Sequence, residues 1–186
     1  MANNRRIRVL YDEAAIAGRN REIAEAVAAT KPVDLLVVAV LKGSFMFAAD
    51  LIRAMHRAGL SPQVEFVHLS SYREATVSSG QVEILRDVQS EVAGRDVLLV
   101  DDILESGRTL TFAKDLLAAR GARKVMSAVL LEKPGKRAVS ITPDFVGFVC
   151  PDYFVVGYGM DVAHSYRQLP FVGVIETDDQ PGFDGI

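Results

Sequence analysis

Two hydrophobic rhythms alternate along the chain. Residues 35–41 are an unbroken run of Leu, Val and Ala, the pattern of a strand buried on both faces of a parallel sheet. Residues 96–100 and 124–131 carry similar runs, and shorter apolar stretches at 7–11, 64–69, 145–149, 154–157 and 171–175 also predict strands. Val82 and Ile84 alternate with polar neighbours, as a half-exposed strand should. Between the runs the period lengthens. Ile16, Ile23 and Val27 fall on one face of a helix that Asp12 can cap and Lys31-Pro32 ends. Residues 45–58 and 109–120 are helical in period, with Gly59 and Gly121 placed as their stops. Strands alternating with helices of this length predict an α/β fold, a mostly parallel twisted sheet flanked by helices.

Composition narrows the class. With 186 residues, 49% of them hydrophobic, the chain suits one compact domain over residues 1–176, followed by an Asp- and Gly-rich tail at 177–186 that is expected to fray. Lys+Arg 21 against Asp+Glu 24 gives a net charge of -3, which argues against nucleic acid as a partner. The longest apolar run, residues 35–41, falls short of the ~18 residues of a membrane span. Residues 1–8 are polar and basic with no apolar signal core behind them. Cys150 is the only cysteine, so no internal disulfide can form and a reducing, cytoplasmic setting is expected. His56, His68 and His164 lack metal-ligand spacing.

The chemistry concentrates in residues 97–109, Val-Leu-Leu-Val-Asp-Asp-Ile-Leu-Glu-Ser-Gly-Arg-Thr. A buried strand is expected to end in two carboxylates, Asp101 and Asp102, before a short loop opens into a helix. Ligands of open parallel sheets bind at such strand ends. The helix start, with Ser106, Gly107, Arg108 and Thr109, favours a phosphate. Two carboxylates beside a phosphate make sense if they hold sugar hydroxyls or a divalent cation. By themselves the acids could merely end a strand and Ser106-Gly107 make a turn. Taken whole, the run suggests a phosphorylated ribose. It is not a Walker A loop.

This run resembles the phosphoribosyl diphosphate motif of type I phosphoribosyltransferases, and other segments resemble the hypoxanthine-guanine branch of that family. Leu41-Lys42-Gly43-Ser44 is similar to the family's pyrophosphate loop, and Lys133 to its purine-selecting lysine. Residues 151–161 are similar to its base-binding segment, and Arg167 to its pyrophosphate-binding arginine. The resemblance runs from about residue 7 to residue 175, in family order. It implies a small hood from terminal segments and a Mg²⁺-dependent transfer of phosphoribose from 5-phosphoribosyl 1-diphosphate to hypoxanthine or guanine. It implies a homodimer or homotetramer, and a cis peptide between Leu41 and Lys42.

Roles follow residue by residue from that resemblance. Lys42 and Gly43 present N–H groups to pyrophosphate, and Arg167 adds a bidentate donor. Lys133 donates to the carbonyl of a 6-oxopurine, which adenine lacks. Phe154 stacks on the base, and Val155 contacts it through its backbone. Asp161, with Asp101 and Asp102, helps hold Mg²⁺. Ser71 and Tyr72 match a closing-loop pair that excludes water.

Two residues depart from the pattern. Glu105 stands where the family nearly always has an aspartate, the proposed general base, and its extra methylene is expected to be absorbed by a shifted loop. Tyr153 replaces a basic residue found in many members. Two alternatives stay open: a regulatory nucleotide-sensing protein on the same fold, and a xanthine-preferring enzyme.

Overall fold

The computed structural model describes residues 6–71 and 82–176. Its main sheet has six strands: β2 (Leu36–Leu41), β3 (Gln63–Ser71), β4 (Val82–Arg86), β5 (Asp96–Leu104), β6 (Lys124–Glu132) and β7 (Phe145–Val149). They lie in the order β4-β3-β2-β5-β6-β7, and only β4, at one edge, runs antiparallel to its neighbour. Helices α1 (Glu13–Ala29) and α2 (Phe45–Arg57) cover one face, and α3 (Arg108–Ala119) covers the other.

This layering accounts for the continuous apolar runs. In β5, Leu98 and Val100 pack with Ile23, Phe47 and Leu51 of the α1/α2 side. Their neighbours Val97 and Leu99 pack with Leu110 and Leu117 of α3. With both faces buried, successive residues must all be apolar. The α1 stripe Ile16, Ile23 and Val27 is buried as its period requires, and the Asp12 side chain accepts from Ala15 N at 2.8 Å. Gly59 and Gly121 take positive φ just beyond α2 and α3.

A second sheet of three antiparallel strands, in the order β1-β9-β8, joins the ends of the chain: β1 (Ile7–Tyr11), β8 (Val155–Val156) and β9 (Val172–Ile175). This is the expected hood. Tyr11 ties it to the main sheet, stacking on Phe148 of β7 with ring centroids 4.1 Å apart.

Three boundary differences bear on the candidate site, the others being shifts of a single residue. β5 does not stop at Val100 but continues to Leu104, because Asp101, Ile103 and Leu104 pair with Val129, Leu131 and Glu132 of β6. The two acids therefore lie within a strand rather than at its end. β3 extends through Ser71, whose backbone pairs with Val82. The strand expected at 154–157 covers only Val155–Val156, leaving Phe154 outside it. Tyr72 and the tail from residue 177 lie outside the described residues.

Candidate active site

Lys42, Gly43, Asp101, Asp102, Glu105, Ser106 and Lys133 lie at or near the carboxyl ends of β2, β5 and β6. Where β2 gives way to α2, the Leu41–Lys42 peptide is cis. Ser44, fully buried, donates through Oγ to the carbonyl of Val40 at 2.5 Å and closes the turn. Gly43 lies against Asp102 so tightly that a Cβ there would sit 1.6 Å from Asp102 Oδ2. The loop after β2 and the acidic pair of β5 thus form one wall, a contact that no side chain at residue 43 would permit.

Asp101 and Asp102 have different surroundings. Asp101 is buried, and its Oδ1 accepts from the Asp102 N–H at 3.0 Å. Burial, then the neighbouring charge of Asp102, raises its pKa well above the ordinary carboxylate value. Asp102 is half-buried and accepts from Ile103 N at 2.9 Å. Neither is ion-paired to a basic side chain among the described residues. Two adjacent hard oxygen donors with no such counter-charge fit a divalent cation.

The loop after β5 is braced from behind. Arg137 Nη1 donates to the Glu105 carbonyl at 3.0 Å. The Ser106 carbonyl accepts from Ala138 N at 2.9 Å and Val139 N at 3.0 Å. Gly107, at φ 84°, precedes the first residue of α3, Arg108, and a Cβ there would meet the Val139 carbonyl at 2.7 Å. Ser106 Oγ accepts from Arg108 N at 3.4 Å. Thr109 follows in the first turn, half-buried. The N-terminus of α3 therefore opens where β5 ends.

Lys133 closes the side facing β6. It is buried, its N–H donates to the Leu104 carbonyl at 2.9 Å, and its Nζ donates to the Tyr153 carbonyl at 2.6 Å. Phe154, next to Tyr153, leaves 57% of its surface exposed, so it is free to stack rather than committed to the core. Val155 is buried, its side chain in the core shared by α1 and α2. Tyr153 lies under the guanidinium of Arg8, 5.6 Å from ring centroid to Cζ.

The loop after β8 completes the wall. A Cβ on Gly159 would lie 2.2 Å from the Gly43 carbonyl oxygen. Arg167 donates to the Gly159 carbonyl at 2.6 Å and pairs with Asp161 at 2.7 Å. Asp161 also accepts from the His164 backbone at 2.8 Å. The carboxylate expected to hold a metal and the guanidinium expected to hold pyrophosphate thus face each other. No three His, Cys, Asp or Glu side chains converge as a metal cluster among the described residues. Asp161 is therefore not brought to Asp101 and Asp102 as a common ligand set, because its oxygens are turned to Arg167 and His164.

A match to the phosphoribosyl transferase domain spans residues 9–163. The chain belongs to that family. The hypoxanthine-guanine phosphoribosyltransferase of Bacillus subtilis is 41% identical over 170 residues, which cover 91% of this chain and 93% of that protein. A bifunctional protein TilS/HprT of Listeria innocua is 43% identical over 92% of this chain, but the chain spans only 26% of that longer relative. Among solved structures, the hypoxanthine phosphoribosyltransferase of Trypanosoma cruzi in complex with the product IMP superposes with a TM-score of 0.87 at 33% identity, covering 97% of this chain and 99% of that one.

Within this phosphoribosyltransferase fold, sequence reasoning missed two features. One is Lys136, whose Nζ lies 2.8 Å from Asp152 Oδ2 and 3.6 Å from Glu105 Oε1. Its only signal was a cation three residues beyond Lys133. The other is a buried chain in which Asn20 Nδ2 donates to Tyr158 Oη at 2.9 Å and that hydroxyl donates to Asp50 at 2.6 Å. It borders a cavity of about 480 Å³ between α1 and α2 that Tyr158 lines and none of the expected site residues does.

Proposed function

We propose that the chain transfers the phosphoribosyl group of 5-phosphoribosyl 1-diphosphate to hypoxanthine or guanine, giving IMP or GMP and pyrophosphate. The observation that carries this reading is the contact of Gly43 with Asp102, which sets the turn after β2 against the acidic pair of β5. Lys133, held at the Tyr153 carbonyl, supports the choice of a 6-oxopurine.

In this reading the backbone N–H groups after β2 and at the start of α3 receive the pyrophosphate and the 5-phosphate. Asp101 and Asp102 take the ribose hydroxyls and would hold Mg²⁺. When bound, the ion supplies charge neutralisation for the departing pyrophosphate. As the bond from C1′ to the pyrophosphate oxygen breaks, a purine ring nitrogen bonds to C1′ and its proton passes to Glu105. Phe154 and Lys133 hold the base in line, so proximity supplies much of the acceleration. Ser71 and Tyr72 close over the site. A cytoplasmic homodimer or homotetramer, with one domain over residues 1–176, belongs to the same proposal.

A panel of purine bases tests it. Incubated with phosphoribosyl diphosphate and Mg²⁺, the protein consumes hypoxanthine or guanine, leaves adenine nearly untouched, and stops when the metal is chelated. Absence of turnover with every 6-oxopurine at high enzyme concentration overturns the reading.

A further inference from the structure

We infer that Lys136 is a positioning residue for Glu105, tying its carboxylate to the segment that carries the base-stacking wall. The inference rests on the reading of Glu105 as the group that takes the ring-nitrogen proton. Lys136 ends the short 3-10 turn Pro134–Lys136 that follows Lys133. Its ammonium lies 3.6 Å from Glu105 Oε1 on one side and 2.8 Å from Asp152 Oδ2 on the other. Asp152 directly precedes Tyr153 and Phe154. One cation therefore bridges the catalytic loop and the base-binding segment.

What such a bridge does follows from what is already held around Glu105. Its backbone is fixed on both sides. Leu104 is paired in β5 and accepts from Lys133 N, the Glu105 carbonyl takes Arg137 Nη1, and the Ser106 carbonyl takes two N–H groups from Ala138 and Val139. A shift of the loop cannot place the carboxylate without breaking those bonds. The remaining freedom is in the side-chain torsions of a glutamate whose side chain is 30% exposed. A base must sit within hydrogen-bond reach of its proton, so selecting one side-chain conformation translates directly into rate. Arg137 cannot do this, because its other nitrogen is engaged by Glu132 at 2.7 Å. Lys136 can, and Asp152 keeps it from swinging away.

Single-turnover rates, with phosphoribosyl diphosphate and Mg²⁺ saturating, measure the chemical step apart from product release. Lys136 is 56% exposed, so its variants keep the parent melting temperature. Lys136→Met slows the step about three- to five-fold, the scale of one exposed ion pair, and leaves the KM for phosphoribosyl diphosphate unchanged. Lys136→Arg restores most of the rate. Glu105→Gln slows the step by about 10²–10⁴-fold, and Lys136→Met adds nothing to it. An unchanged rate in Lys136→Met beside a slow Glu105→Gln overturns the inference and leaves Glu105 as the base. An equal further loss in the Glu105→Gln background, or a matching rise in KM, also overturns it, because Lys136 then acts independently of Glu105. A Glu105→Gln enzyme at the parent rate removes the base assignment, and this inference with it.

Discussion

Lys133 shows how much of a residue's role depends on burial. Lysine is among the residues least often buried, and in the sequence Lys133 could equally be a solvated strand-end side chain. In the fold it is buried, and its ammonium is held by the Tyr153 carbonyl. An ammonium has three donors, so that bond leaves two for a ligand. Replacing Lys133 with alanine is expected to weaken 6-oxopurine use by ~1.5–3 kcal/mol, the worth of a hydrogen bond from a charged donor. Binding of phosphoribosyl diphosphate changes less. Steady-state kinetics with each substrate varied in turn checks this, and equal losses on both would show a structural lysine. Glu105 was legible as a departure from the family pattern. Its bridge to Asp152 through Lys136 was not, because no local signal marks a long-range ion pair between loops.

At the scale of elements, helix α3 opens at one end on the Gly107 turn, where the proposed function sets a phosphate, and carries an electrostatic anchor at the other. Arg120, just past its last turn, donates through Nη1 and Nη2 to the two carboxylate oxygens of Asp87, the first at 2.8 Å, and so fastens the helix to the segment after β4. The hydrogen bond from Arg120 is the largest cause lowering the Asp87 pKa below its ordinary value of 3.8. A carboxyl group with a lowered folded-state pKa adds stability above its unfolded value and loses it as pH falls through the folded one. With side-chain exposures of 31% and 43% for Arg120 and Asp87, solvent screening reduces the pair to about 0.5 kcal/mol. Urea unfolding of Asp87→Asn should therefore show a deficit of that size at pH 7. The deficit should shrink as pH drops below the ordinary carboxylate value. A deficit that persists at the lowest pH would assign it to packing rather than charge.

Across the whole molecule, the hood and the main sheet share one core. Val155, Val172 and Val174 of the hood lie in the same buried cluster as Leu98 and Val100 of β5, and Tyr11 donates to the Val149 carbonyl at 3.1 Å besides stacking on Phe148. The two sheets should therefore unfold together. Leu98, with no exposed surface at the sheet centre, should cost about 2–5 kcal/mol when cut to alanine. Far-ultraviolet circular dichroism and the near-ultraviolet tyrosine signal should shift by the same amount, and separate transitions would show an independent hood. The sequence by itself determined the elements and the chemistry available to them. Periods of two and of three to four residues, unbroken apolar runs and capping residues are local signals, so β2, α1 and α2 could be read within a residue or two, and the run from Asp101 to Thr109 resembled the motif of the family to which the chain belongs. Tertiary structure alone decided how far β5 extends, since Asp101 to Leu104 are held in a strand by pairing with β6. It also decided which residues meet: Gly43 with Asp102, and Lys136 with Glu105 and Asp152. Those contacts join segments far apart in the chain, and their geometry follows from strand order and register, which no local pattern encodes.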